Sequence, residues 1–96
     1  MYLLNVSYTK GLEEIGPHVK AHGEWVDQCR RQDLLLFAGP KKSGLGGVIA
    51  MRSMDKGDLL RLLAEDAYVQ NDVAEYQIID FDCKAAQTAA QALIGS

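Results

Sequence analysis

Residues 34–52 read Leu34-Leu35-Leu36-Phe37-Ala38-Gly39-Pro40-Lys41-Lys42-Ser43-Gly44-Leu45-Gly46-Gly47-Val48-Ile49-Ala50-Met51-Arg52. Leu34 to Ala38 is a continuous apolar run, and Gly39-Pro40 ends it. A run that brief, bounded by turn residues, reads as a strand buried on both faces. Gly47 to Arg52 reads as another strand. Lys41 to Gly46 joins the two as a flexible connection that glycine permits.

Working outward, each side of this pair shows a helix and then a strand. On the N-terminal side, Leu12 to Arg31 places Ile15, Val19, His22, Val26 and Cys29 at steps of three and four, one helical face. Pro17 sits early, where its missing N–H matters least. Regular helix therefore begins near Gly16, with Leu12 to Ile15 as a looser lead-in. Before it, Tyr2, Leu4, Val6 and Tyr8 alternate with Leu3, Asn5 and Ser7, so Met1 to Tyr8 is a strand. On the C-terminal side, Ser53 or Asp55 caps a helix and Asp58 adds charge near its N-terminus. Leu59, Leu60, Leu62 and Leu63 form its apolar side, and it ends by Asp66. Ala67 to Ala74 connects to a last strand, Glu75 to Asp82. Ala85 to Leu93 is a short helix or tail.

The order is βαββαβ, an α+β ferredoxin-like arrangement with an antiparallel sheet. Both helices cover one sheet face. The other face keeps apolar groups, which predicts that two copies pack sheet to sheet as a two-fold homodimer. The 96 residues form one domain, with a core over 1–83 and a tail over 84–96.

Composition narrows the function. The chain is 48% hydrophobic and 24% charged, with a net charge of −3. That is too apolar for disorder and lacks the basic face that nucleic acid requires. No apolar stretch approaches the ~20 residues that span a bilayer, and Met1 to Tyr8 is no signal peptide. Cys29 and Cys83 lie far apart with no CxxC, which fits reduced thiols in the cytoplasm.

His22 stands where Leu or Ile would be the plain choice. It is either a core histidine satisfied by a buried partner or a general acid or base at the bottom of a pocket. Asp66 falls at a helix C-terminus, where the dipole disfavours a carboxylate, which suggests another role or a solvated end. Glu14, His18 and His22 lie at steps of four, but two histidines make a weak metal site and none is expected. The glycine-rich loop lacks the order of a phosphate-binding loop and no helix follows it. Its alternative role is a mobile lip whose Lys41 or Lys42 meets an anionic ligand. Trp25 and Tyr68 are core or pocket-wall aromatics.

Several motifs occur in a familiar order. They are His22, Leu34-Leu35-Leu36-Phe37, Ala38-Gly39-Pro40, Gly46-Gly47-Val48-Ile49, Asp66-Ala67-Tyr68 and Ala74-Glu75-Tyr76-Gln77-Ile78-Ile79-Asp80-Phe81. In this order the chain resembles the YciI-like (YCII-related) family over nearly its whole length. The resemblance implies a domain of the dimeric α+β barrel superfamily, whose helix histidine and Asp-Pro aspartate are a proposed functional pair. Those positions are His22 and Asp66. Related members include a dehydrochlorinase of chlorinated aromatic breakdown products, and the wider superfamily includes muconolactone isomerase. Two departures stand out. The family proline is Ala67 here, so the backbone restriction that proline places on Asp66 is gone. An arginine that some members carry three residues before the histidine is Val19.

The expected function is small-molecule lyase or isomerase chemistry by proton transfer, with His22 and Asp66 catalytic. Gly39, Pro40, Lys41 and Tyr68 are the expected substrate-binding residues. No cofactor is expected. The alternative is a non-catalytic binding or accessory homodimer, and higher oligomers are also open.

Overall fold

The alternation at the N-terminus becomes strand β1 (Tyr2–Tyr8) in the computed structural model, which describes residues 1–96. A first helical turn, α1 (Leu12–Ile15), follows, then a 3-10 turn over Gly16–His18 and helix α2 (Val19–Arg31). Strands β2 (Leu35–Pro40) and β3 (Gly46–Met51) form the central hairpin. Helix α3 (Lys56–Leu63), a short α4 (Ala67–Gln70) and β4 (Ala74–Asp80) complete the order. Taking α1 with α2 and α3 with α4, this is the expected ferredoxin-like βαββαβ fold. The four strands make one antiparallel sheet in the order β2-β3-β1-β4.

Register decides which side chains meet the helices. Leu4 pairs with Ile49 on one side and Ile78 on the other, and Val6 with Gly47 and Tyr76. Tyr2, Leu4, Val6, Ile49 and Met51 thus share one face. They pack against Trp25 and Cys29 of α2 and Leu59 and Leu63 of α3. Burying each large apolar side chain contributes about 1.5–3 kcal/mol relative to exposure. Trp25 Nε1–H donates to the Leu62 carbonyl at 3.1 Å, fastening α2 to α3. A second, smaller cluster joins Ile15, Tyr68 and Val73, with Tyr8 and Tyr76 against it.

Several local expectations need correction. Regular helix starts at Val19 rather than Gly16, because the turn containing Pro17 is wound as 3-10 helix. The buried face of α2 is centred on Trp25 and Cys29. Val19 lies about 100° round from it and is exposed. Strand β2 does not stop at Ala38, since Gly39 pairs with Val48 and Pro40 with Gly47. Nor is it buried on both faces. It is an edge strand, where a missing N–H is tolerated, and it is exposed from Phe37 onward. The connection after α3 contains α4, and the last strand is two residues shorter at its C-terminal end than alternation suggested.

One glycine is required by geometry. Gly46 has φ +150, and a Cβ there would lie 2.0 Å from the Val6 carbonyl oxygen. Only hydrogen fits where β3 enters the sheet beside β1.

The opposite sheet face, carrying Leu3, Phe37, Val48 and Ile79, has no helix over it. Phe37 and Ile79 are 46% and 49% exposed. The tail forms 3-10 turns over Thr88–Leu93. Ser53 Oγ accepts from the Met1 amino group and donates to the Ser96 carbonyl. No helix is long and apolar enough to cross a membrane.

Candidate functional site

Asp66 does not end α3; it begins α4. Its backbone is extended (φ −77, ψ 130) and its carbonyl accepts the N–H of Val69 and of Gln70. Its Oδ1 accepts the Tyr68 N–H at 3.1 Å, the usual work of an N-cap aspartate. The unfavourable dipole expected for a helix C-terminus is therefore replaced by a favourable one. The capping geometry also holds Asp66 in the extended backbone that a following proline would impose, so Ala67 does not leave it free. The side chain is wholly buried.

His22 reaches this carboxylate from α2. Nδ1 lies 2.8 Å from Asp66 Oδ1, although 44 residues separate them in sequence. The imidazole is 19% exposed and stacks on Tyr68, with centroids 3.9 Å apart and planes within 7°. Trp25 lies on its flank at 5.9 Å. An ionised carboxylate only accepts, and opposite one Nδ1 would carry the shared proton. Nε2 has no partner in the chain. Since no buried side-chain nitrogen or oxygen lacks one, Nε2 is open to solvent.

The other carboxylate oxygen is also taken. The Tyr76 hydroxyl, from β4, donates to Asp66 Oδ2. Burial, then the hydrogen bond to Asp66, push the Tyr76 phenol well above its ordinary range. Burial, then the adjacent Tyr8 hydroxyl, do the same to Tyr68. Tyr8 meets Tyr68 edge to face at 5.6 Å. Tyr76 escaped the sequence reading. Its only signal was a tyrosine on the inward parity of a strand, where a buried hydroxyl needs a partner.

A cavity of about 310 Å³ opens between α2 and the β1, β2 and β3 corner of the sheet. His22 and Tyr68 line it, with Val6, Tyr8 and Val26 among its apolar walls. Gly39, Gly46 and Gly47 also line it. Of the three, Gly47 pairs with Val6 and so shares the helix-facing side of the sheet, where its missing side chain leaves room for the cavity. Gly39, Pro40 and Tyr68, the residues expected to bind substrate, all line this cavity. Lys41 does not line the cavity; its Nζ donates to Ser7 Oγ at 3.0 Å. No Lys or Arg forms part of the wall. Glu14, His18 and His22 do not converge, since the 3-10 turn interrupts their helical spacing. No three His, Cys, Asp or Glu side chains come together.

A profile of the YCII-related domain matches residues 1–82. The chain belongs to the YCII-related family. No curated protein matches it in sequence. Among solved structures, this YCII-related chain is similar to 5-chloro-2-hydroxyhydroquinone dehydrochlorinase from Burkholderia phenoliruptrix AC1100, in complex with 2,5-dihydroxybenzoquinone. The TM-score is 0.73 at 12% identity, over 84% of this chain and 92% of that one. At that identity the likeness is one of fold. Within the YCII-related fold, then, a buried carboxylate and a half-buried imidazole meet beside an apolar cavity, an arrangement able to accept or deliver a proton.

Proposed function

We propose that this YCII-related chain is a small-molecule lyase or isomerase in which His22 transfers the proton. The observation that carries the reading is the 2.8 Å contact of His22 Nδ1 with wholly buried Asp66, beside a cavity that His22 itself lines. Asp66 orients the ring and stabilises the imidazolium, and Nε2 is the working atom. In a dehydrochlorination, Nε2 takes a proton from O–H or C–H of the substrate. On a chlorinated hydroquinone the chlorine-bearing carbon first gains a proton as a neighbouring hydroxyl loses its own and becomes a carbonyl. When the second O–H proton is then taken, its electron pair becomes the other carbonyl, the ring double bond shifts, and chloride leaves with its bonding pair. The apolar, lysine-free wall favours an uncharged ring over the anionic ligand that the loop lysines suggested.

The dehydrochlorinase likeness makes chlorinated hydroquinones the first class to assay. Chloride release from 5-chloro-2-hydroxyhydroquinone is expected from the wild-type chain. His22→Ala is expected to lower it by about 10²–10⁴-fold, the usual contribution of a general acid or base. Unchanged activity in the variant rules the mechanism out.

One observation favours a non-catalytic binding or accessory domain. Asp66 already caps α4 and bonds Tyr76, so its pairing with His22 also serves the fold. Ligand binding that shifts the His22 NMR titration, without turnover, is the result that reading predicts.

The working unit is proposed to be a homodimer of 96-residue chains, with 84–96 as a tail on the core. The apolar groups of the uncovered sheet face support this pairing. The unpaired thiols of Cys29 and Cys83 suit a cytoplasmic setting.

A further inference from the structure

Asp66 is wholly buried, and its only ion pair is with His22. Three donors reach its two oxygens. Oδ1 takes His22 Nδ1–H and the Tyr68 N–H, whereas Oδ2 takes the Tyr76 hydroxyl alone. A carboxylate pinned at one oxygen can still swing its plane about the Cβ–Cγ bond. A second pinned oxygen removes that freedom. Tyr76 is well placed to supply it. Its strand position is fixed by pairing with Val6, and its ring packs against the Ile15, Tyr68 and Val73 cluster. Tyr76 does not line the cavity, so it touches no ligand there. Its phenol, raised by burial and by Asp66, keeps its proton and donates it to Oδ2.

We infer that Tyr76 is a positioning residue for His22: by filling Asp66 Oδ2 it fixes the carboxylate plane, keeps Oδ1 on His22 Nδ1–H, and leaves the Nε2 lone pair free. This assignment rests on the His22–Asp66 reading above. An imidazole without such a partner favours its proton on Nε2, which would occupy the lone pair that the chemistry needs. The hydrogen bond made by one ring nitrogen sets the state of the other.

The test is the tautomer of neutral His22, read from ¹⁵N spectra at about pH 8, above the ordinary imidazole range. The wild-type chain is expected to show Nδ1–H predominating. Tyr76→Phe removes only the hydroxyl and should move the tautomer ratio about fivefold toward Nε2–H, the scale of one net hydrogen bond. Placing 3-fluorotyrosine at position 76 keeps a hydroxyl and should keep the wild-type ratio. Asp66→Asn should shift the ratio by itself. If Asp66→Asn shifts it and Tyr76→Phe leaves it unchanged, the role of Tyr76 is overturned and the His22–Asp66 pair stands. If Asp66→Asn also leaves it unchanged, both fall. If 3-fluorotyrosine shifts the ratio as far as Phe does, the hydroxyl is not the cause and the inference is overturned.

Discussion

His22 and Asp66 lie 44 residues apart in sequence and become a pair only through closure of the fold. The place of His22 on a helical stripe was legible, because spacing alone puts it beside Val26 and Cys29. Its partner was not, because no local pattern links residues 44 apart. Asp66 was found by resemblance and misplaced by pattern, since the four residues after it looked like a connection. The capping signal was nonetheless present, in an Asp immediately before Ala-Tyr-Val-Gln. Lys41 shows the reverse. A lysine beside glycines suggested an anion contact, but its ammonium is turned to Ser7. Cys29 offers a prediction at this scale. Burial, then the charge of Glu65, push its thiol up to about 11. The folded chain therefore holds the thiol proton more tightly than the unfolded chain. The resulting stability is whole below the unfolded thiol value, and it is lost as pH rises toward the folded one. Urea midpoints should fall between about pH 8 and about pH 10.5, and Cys29→Ala should fall less steeply over that window. Parallel slopes in the two proteins would remove Cys29 from the account.

Among the elements, the helix–strand order was readable because hydrophobic periodicity changes from two to about 3.6 and back. Boundaries were less so. Tertiary position decides whether Gly39-Pro40 ends a strand, and at a sheet edge it does not. The same glycine-rich corner makes the cavity and constrains the sheet. Gly46→Ala would drive a Cβ into the Val6 carbonyl at a backbone angle that side chains rarely adopt. It should cost about 3 kcal/mol or more, the range reserved for severe backbone conflicts. Denaturant unfolding measures this, and a loss under about 1 kcal/mol would show that β1 and β3 can part without penalty. Helix α4 matters for a different reason. At four residues it is too short to persist alone, so its Asp66 cap and the buried Tyr68 hold it in place. The turn that orients the carboxylate is thus stabilised by the carboxylate.

For the whole molecule, the sheet order β2-β3-β1-β4 follows from βαββαβ connectivity, so the architecture was legible once the elements were. The uncovered face was legible too, because several strands carry apolar residues at both parities. Small domains bury a limited share of their surface, so a second copy over Leu3, Phe37, Val48 and Ile79, as proposed, would add a core that one chain lacks. Sedimentation at micromolar concentration is expected to give a dimer, and Ile79→Glu a monomer or a weakened dimer. A wild-type monomer would refute the pairing. The site draws its residues from α2, α4 and β4 of one chain, so His22→Ala should leave assembly unchanged. The deciding comparison is chloride release by the wild-type protein against His22→Ala in the same state of assembly. A fall of about a hundredfold or more is expected if His22 moves the proton. Equal rates in the two proteins would contradict it.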